Sequence, residues 1–161
     1  SYTYTGKTIR PGVTVKGKDG KVLSSDNYTV SYSKSVYPGK YTVKATGKNK
    51  YEGTVSASYK IYPKSSVIKK LKKGKKKMTV SWTKQSKYAV SGYQIKYSKS
   101  KKFSKKYTKT TTVKTYKTSS KTIKKLKARK KYYVRVRSYT TVKGTKYYGA
   151  WSASKSVTTK K

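Results

Sequence analysis

Hydrolysis, group transfer and redox chemistry all start from a base, a nucleophile or a bound metal, and this chain offers little of any. It has no His and no Cys, and its only carboxylates are Asp19, Asp26 and Glu52. No two of these stand at a spacing that marks a general acid and base pair. Thiolate and imidazole metal sites are excluded by composition. A calcium site would have to gather three scattered carboxylates in a field that repels cations. Ser and Thr are plentiful, but an active hydroxyl needs an activating neighbour, and Lys is the only candidate. Ser and Lys adjoin throughout the chain, so no single pair stands out, and surface roles are the plainer reading. The 11 Gly residues fall at turns and form no phosphate loop. The expectation is a non-catalytic chain with no cofactor and no metal.

What the sequence has in excess is positive charge. Lys and Arg number 44, giving a formal charge of +41 over 161 residues. The charge gathers in three runs, "KKLKKGKKK" (69–77), "KSKKFSKK" (99–106) and "KKLKARKKYYVRVR" (124–137). Basic side chains beside aromatics suit a surface that follows a phosphate or sulfate backbone. The candidate polyanion-binding residues are Lys72, Lys73, Lys75, Lys76 and Lys77 from the first run, and Lys101, Lys102, Lys105 and Lys106 from the second. The third contributes Lys124, Lys125, Lys127, Arg129, Lys130, Lys131, Arg135 and Arg137. The competing reading is that Lys merely fills solvent faces and blocks edge-to-edge strand pairing. That reading suffices for any one Lys. It suits the whole set less well, because a surface built only for solubility mixes both signs. Sequence-specific nucleic-acid recognition is not expected, since no helix is available for a major groove and no RNA-binding sheet motif is present.

The elements that must carry these charges read as strands. The chain has 19 Tyr against one Phe, and Tyr with Val, Ile and Thr favours a pleated, half-buried surface. No stretch shows helical apolar spacing. Residues 1–63 hold 11 Lys plus Arg and all three acids, against 33 and none in residues 64–161. The seam at "KIYPKSSVIKK" contains Pro63, which cannot donate to a ladder. Two domains are expected, 1–63 and 64–161.

In the first, strands are predicted at Tyr2 and Tyr4 and from Ile9 to Val15, with further ones through "NYTVSYS", "KYTVKATG" and "TVSASYKIY". Asp19-Gly20 predicts a type I′ hairpin. Val55, Ala57, Tyr59 and Ile61 are expected to share a buried face. In the second, Met78, Val80 and Trp82 alternate inward, as do Tyr93, Ile95 and Tyr97. Leu126 precedes Tyr132 by six residues, and Tyr132, Val134 and Val136 alternate inward from there. That spacing suits a tyrosine corner, in which a phenol at a strand start bonds a backbone group just upstream. The expected core anchors are therefore Trp82, Tyr93, Leu126, Tyr132, Val134 and Val136. No apolar run approaches the ~20 residues of a membrane span, and no signal peptide is visible. The opening "SYTYTGK" reads as the start of a segment cut from something longer.

Trp82, Tyr93 with Tyr97, the Leu126 to Val136 run and "AWS" at 150–152 together resemble a fibronectin type III domain over residues 64–161. "YTYTGKTIRPGVTV", "NYTVSYS" and "YPGKYTVKATGKNKYEGTVSASYKI" resemble the bacterial immunoglobulin-like repeats of Gram-positive surface proteins over residues 2–62. The fold expected is all-β, two tandem antiparallel β-sandwiches, immunoglobulin-like and then fibronectin type III-like. The resemblance implies a stalk or spacer in an exported surface protein or appendage, extracellular and set among anionic cell-wall or host polymers. It also implies neighbouring repeats or subunits of the same assembly, one of which would complete the short edge at "SYTYT" by strand addition. The alternative is an adhesin module that captures anionic glycans, teichoic acid or extracellular nucleic acid through the basic second domain.

Overall fold

A computed structural model describes residues 1–161. The chain is all-β and divides into two compact units, Ser1–Ile61 and Tyr62–Lys161. No helix is long and apolar enough to cross a membrane.

The first unit is built on one four-stranded sheet, antiparallel across β2, β3 and β4. Its strands are β1 (Tyr2–Thr3), β2 (Tyr28–Tyr32), β3 (Gly39–Gly47) and β4 (Thr54–Tyr62), in the order β1-β4-β3-β2. Val43, Tyr59 and Ile61 form its buried centre, with Ile9, Val13, Val30 and Tyr32 packed against it. The segment from Ile9 to Val15, expected as a strand, covers this face in extended form without joining a ladder. Pro11 lacks the amide proton a ladder needs, and hydroxyls from the sheet and from the β2–β3 loop bond the segment's carbonyls instead. The Tyr59 hydroxyl donates to the Ile9 carbonyl (3.1 Å), the Tyr32 hydroxyl to Pro11 (2.6 Å) and the Ser35 hydroxyl to Ile9 (2.7 Å).

Two further expectations for this unit are corrected. The hairpin at Asp19-Gly20 exists, but only Gly20 has positive φ (+79°). The Gly17 amide donates to Lys21 (2.9 Å) and the Gly20 amide to Gly17 (3.0 Å). This is a three-residue loop, a type I turn followed by a left-handed Gly, in place of a two-residue type I′ turn. On β4, Tyr59 and Ile61 are buried, whereas Val55 is 61% exposed and Ala57 is exposed too. The covering segment does not close over the start of β4, and Val13, Val15, Val55 and Ala57 line an open groove there.

The second unit packs two sheets. One holds β5 (Ile68–Gly74), β6 (Lys77–Trp82) and β9 (Ser120–Ile123), in the order β5-β6-β9. The other holds β7 (Gly92–Ser98), β8 (Thr108–Val113), β10 (Lys131–Val142), β11 (Thr145–Tyr148) and β12 (Lys155–Thr158). The long β10 pairs with β7 on one side. On the other it pairs with β12 along its first half and β11 along its second. Met78, Val80, Trp82, Tyr93, Ile95, Val134 and Val136 are all buried between the sheets, with Leu126 and Tyr132 beside them. Trp82 and Tyr93 meet at 5.3 Å between ring centroids. The Tyr132 hydroxyl accepts a bond from the Lys127 amide (3.1 Å), five residues upstream, and so fixes the approach to β10.

Burial pushes the phenols of Tyr93, Tyr97 and Tyr139 above their ordinary value of 10.0. A group whose folded pKa is raised contributes stability that is complete below the unfolded value and lost as pH climbs through the folded one. The thermal midpoint of this unit is therefore expected to hold up to about pH 10 and to fall above it, in step with tyrosinate absorbance. Lys96 and Arg137, whose pKa values are lowered first by burial, act in the opposite sense but are two groups against three. A midpoint that stays level well above pH 10 would show that these rings ionise without unfolding.

Candidate functional site

Strand direction decides where the three basic runs lie in the second unit. β5 and β6 are joined by the turn at Lys75 and Lys76. Lys75 bridges Lys160, and the Lys160 amide donates to Gly74 (3.0 Å), so the final residues lie along this turn. The Leu126 amide donates to Lys76 (2.9 Å), which brings the segment between β9 and β10 to the same place. Lys131 opens β10 opposite Thr158, and Tyr133 two residues on is paired with Ser98, the last residue of β7. The loop carrying Lys99 to Lys106 therefore leaves from this end too. Runs far apart in sequence converge on one pole.

All the candidate lysines, with Arg129, are exposed. Lys75, Lys76, Lys77, Lys124, Lys125, Lys127, Arg129, Lys130 and Lys131 belong to the pole, as do Lys101, Lys102, Lys105 and Lys106. Lys99, Lys160 and Lys161, which are not among the sequence candidates, join them. The unit contains no carboxylate side chain to offset them. The opposite end is bounded by the β6–β7 loop and the β10–β11 turn, tied together where the Thr141 amide donates to Ser91 (3.0 Å). The β8–β9 loop also lies at this end, which carries fewer cations, Lys64, Lys84, Lys87, Lys114, Lys117, Lys143 and Lys146.

Lys72 and Lys73 stand slightly apart, on β5. Lys73 is the cross-strand partner of the buried Met78, and Lys121 on β9 is the partner of the buried Val80. Both occupy the core-side face of an edge strand, the placement that discourages pairing with another sheet.

Arg135 and Arg137 do something different again. They project from β10 into a stack with aromatic rings. The Arg135 guanidinium lies 4.3 Å from the Phe103 centroid and 5.1 Å from Trp151, and that of Arg137 lies 4.4 Å from Trp151 and 3.8 Å from Tyr148. Arg137 also grips the Gln94 side-chain oxygen with Nε (3.0 Å) and Nη2 (2.8 Å). Arg135 Nε is buried without a partner. Burial lowers the pKa of Arg137, with Tyr148 opposing and Arg135 reinforcing that shift. Each guanidinium lies against two rings, and these contacts tie the Trp151 segment to β10. Phe103, Trp151, Tyr148 and Gln94 complete the stack. Its sequence signal was the "AWS" motif opposite an outward Arg-x-Arg.

Several pole residues have unusual backbones. Lys76 (φ +48°), Lys125 (+57°) and Arg129 (+51°) all adopt the left-handed conformation, as does Phe103 (+54°) in the β7–β8 loop. Non-glycine side chains take it at a cost of order 1–3 kcal/mol.

The fibronectin type III domain profile matches residues 63–155. No curated protein matches the chain. Among solved structures, the chicken CNTN1 FN1-FN3 domains superpose with a TM-score of 0.53 at 21% identity, covering 77% of this chain and 44% of that one. A myokine structure (TM-score 0.49, 19% identity) covers 62% of this chain and 99% of its own. Titin domains A168-A170 (0.46, 15%) cover 92% and 53%. The chain thus spans under half the length of the CNTN1 structure, and that likeness bears on fold alone.

Proposed function

The chain belongs to the fibronectin type III family, whose domain occupies residues 63–155, and from that premise we propose that it is a spacer segment of an exported bacterial cell-surface protein or appendage, held among anionic polymers by the basic pole of its second unit. Members of this family serve as structural or binding modules. The absence of His and Cys, and the confinement of all three acids to the first unit, support a non-catalytic role. The first unit is read as a bacterial immunoglobulin-like repeat preceding it. Its two-residue β1, at the edge of its sheet beside β4, is the place where a neighbouring repeat or subunit would add a strand.

The observation that carries the polymer reading is the convergence of three separate loops on one end of the unit. A coat made only for solubility would spread its charge evenly over both ends. Here the field is concentrated where β10 begins, and it favours an extended polyanion by release of the polymer's own counterions.

The test compares two full-length variants of equal net charge. One replaces Lys101, Lys102, Lys105 and Lys106 at the pole with Gln, and the other replaces Lys84, Lys87, Lys143 and Lys146 at the opposite end. Heparin affinity is expected to fall about tenfold or more in the first and by no more than about threefold in the second. Equal losses would mean that only total charge matters, and the polar reading would be abandoned.

A further inference from the structure

We infer that the notch between the β5–β6 turn and the turn at 127–130 holds a single tetrahedral oxyanion, a phosphate or sulfate group carried on the polymer. This deepens the reading of the basic pole and rests on it. The notch is lined by Lys75, Lys76, Ala128, Arg129 and Lys161. Four of the five are cationic, and no carboxylate side chain occurs in the unit.

Its two walls and the final residues are tied together by backbone and threonine bonds. The Gly74 carbonyl accepts from the Lys160 amide (3.0 Å), the Lys76 carbonyl from Leu126 (2.9 Å) and the Lys160 carbonyl from Lys76 (3.3 Å). The Lys127 carbonyl accepts from the Thr159 hydroxyl (2.6 Å), and the Lys130 carbonyl from the Thr159 amide (3.1 Å). Thr159 is buried and locks the turn in place, while the Lys130 amide donates to its hydroxyl (3.2 Å). These bonds, one of them accepted by the lining residue Lys76 and the others by residues flanking the lining ones, hold the cationic side chains of the notch on a fixed frame. Such a frame binds an oxyanion with less ordering cost than free lysines do.

The second observation is conformational. Lys76 and Arg129, one from each wall, are both left-handed (φ +48° and +51°). Glycine takes that conformation freely, and the chain uses it so at Gly144 (φ +79°). Keeping a long cation where glycine would fold better points to use of the side chain. Lys125 shares the conformation (φ +57°) at the same pole but does not line the notch. It is therefore the matched control and not a second site.

Two full-length variants, each lacking two positive charges, test the assignment: Lys76→Gly with Arg129→Gly, and Lys125→Gly with Lys124→Gln, the second pair lying at the same pole but outside the notch. Glycine relieves the backbone at three of these positions, so neither variant is expected to melt below the unaltered chain, and thermal midpoints check this. Binding to heparin and to long-chain inorganic polyphosphate is then measured at one fixed salt concentration. The notch variant is expected to lose about tenfold in affinity and the control less than about threefold. A loss confined to one probe supports the notch and identifies sulfate or phosphate as its ligand; a loss towards both supports the shared chemistry. Equal losses in the two variants would overturn the notch and leave the basic pole standing. Failure of the unaltered chain to bind either probe would overturn both.

Discussion

Trp82→Ala is expected to lower the stability of the second unit by about 3–5 kcal/mol, the range for removing a large buried aromatic side chain. Trp82 is only 1% exposed and contacts Tyr93 from the facing sheet. It also shares β6 with the buried Met78 and Val80, so the lost ring leaves a cavity lined on several sides. Small domains have about 5–15 kcal/mol in total, so this one substitution removes a large fraction of it. Trp82→Phe should cost less than half as much, for a specific reason. The indole Nε1 is buried without an acceptor, and phenylalanine removes that unsatisfied donor while keeping most of the ring. Denaturant unfolding followed by the emission of Trp151, the other Trp of the chain, measures both variants. A loss below about 1 kcal/mol for Trp82→Ala would mean that the core closes over the gap, and Trp82 would not be its anchor.

The strands were legible wherever their two faces meet different surroundings. Met78-Thr79-Val80-Ser81-Trp82 alternates because β6 is a central strand with core on one side and water on the other. β2 alternates for the same reason. Legibility failed where one face had no partner. Val55 and Ala57 carry the same alternation as Tyr59 and Ile61, yet nothing closes over them, because the covering segment is held by tyrosine hydroxyls farther along the sheet. Turn chemistry misled in a similar way. Asp19-Gly20 has the residues of a type I′ turn, but one added residue in the loop converts it to a type I turn with a single left-handed Gly.

The pole was legible as three charged runs and illegible as one place. Spacing along a chain gives the face on which a side chain stands. It does not give the end of the sandwich that a loop occupies, because that depends on how many strands intervene and in which direction they run. Arg135 and Arg137 show the complementary limit. Their alternation on β10 marks them as outward, but only the fold brings Trp151 back to them and ties its segment to β10.

Affinity for duplex DNA, taken as a polyanion of known charge spacing, is expected to fall by about 10³–10⁵ between roughly 50 and 200 mM salt. The estimate follows from the pole and not from the whole +41 charge. A rigid duplex laid across one end of the unit reaches some of the clustered cations and leaves those on the sheet faces idle. Six to ten phosphate contacts, about the number such an end can present at once, give a logarithmic salt slope near −0.9 for each contact. Cations spread evenly over the surface would give a shallower slope, because few would reach the same duplex together. Arg135 and Arg137 should add less to it than the exposed lysines, since their guanidinium groups already lie against Phe103, Trp151 and Tyr148. The notch alters the form of the curve for flexible polymers more than for DNA. A single seated sulfate or phosphate group contributes hydrogen bonds that salt does not screen, so heparin or polyphosphate binding should level off at high salt where DNA binding continues to fall. Affinity for DNA that stays unchanged across the range would remove electrostatics as the basis of binding, and with it the reason for gathering the three loops at one pole.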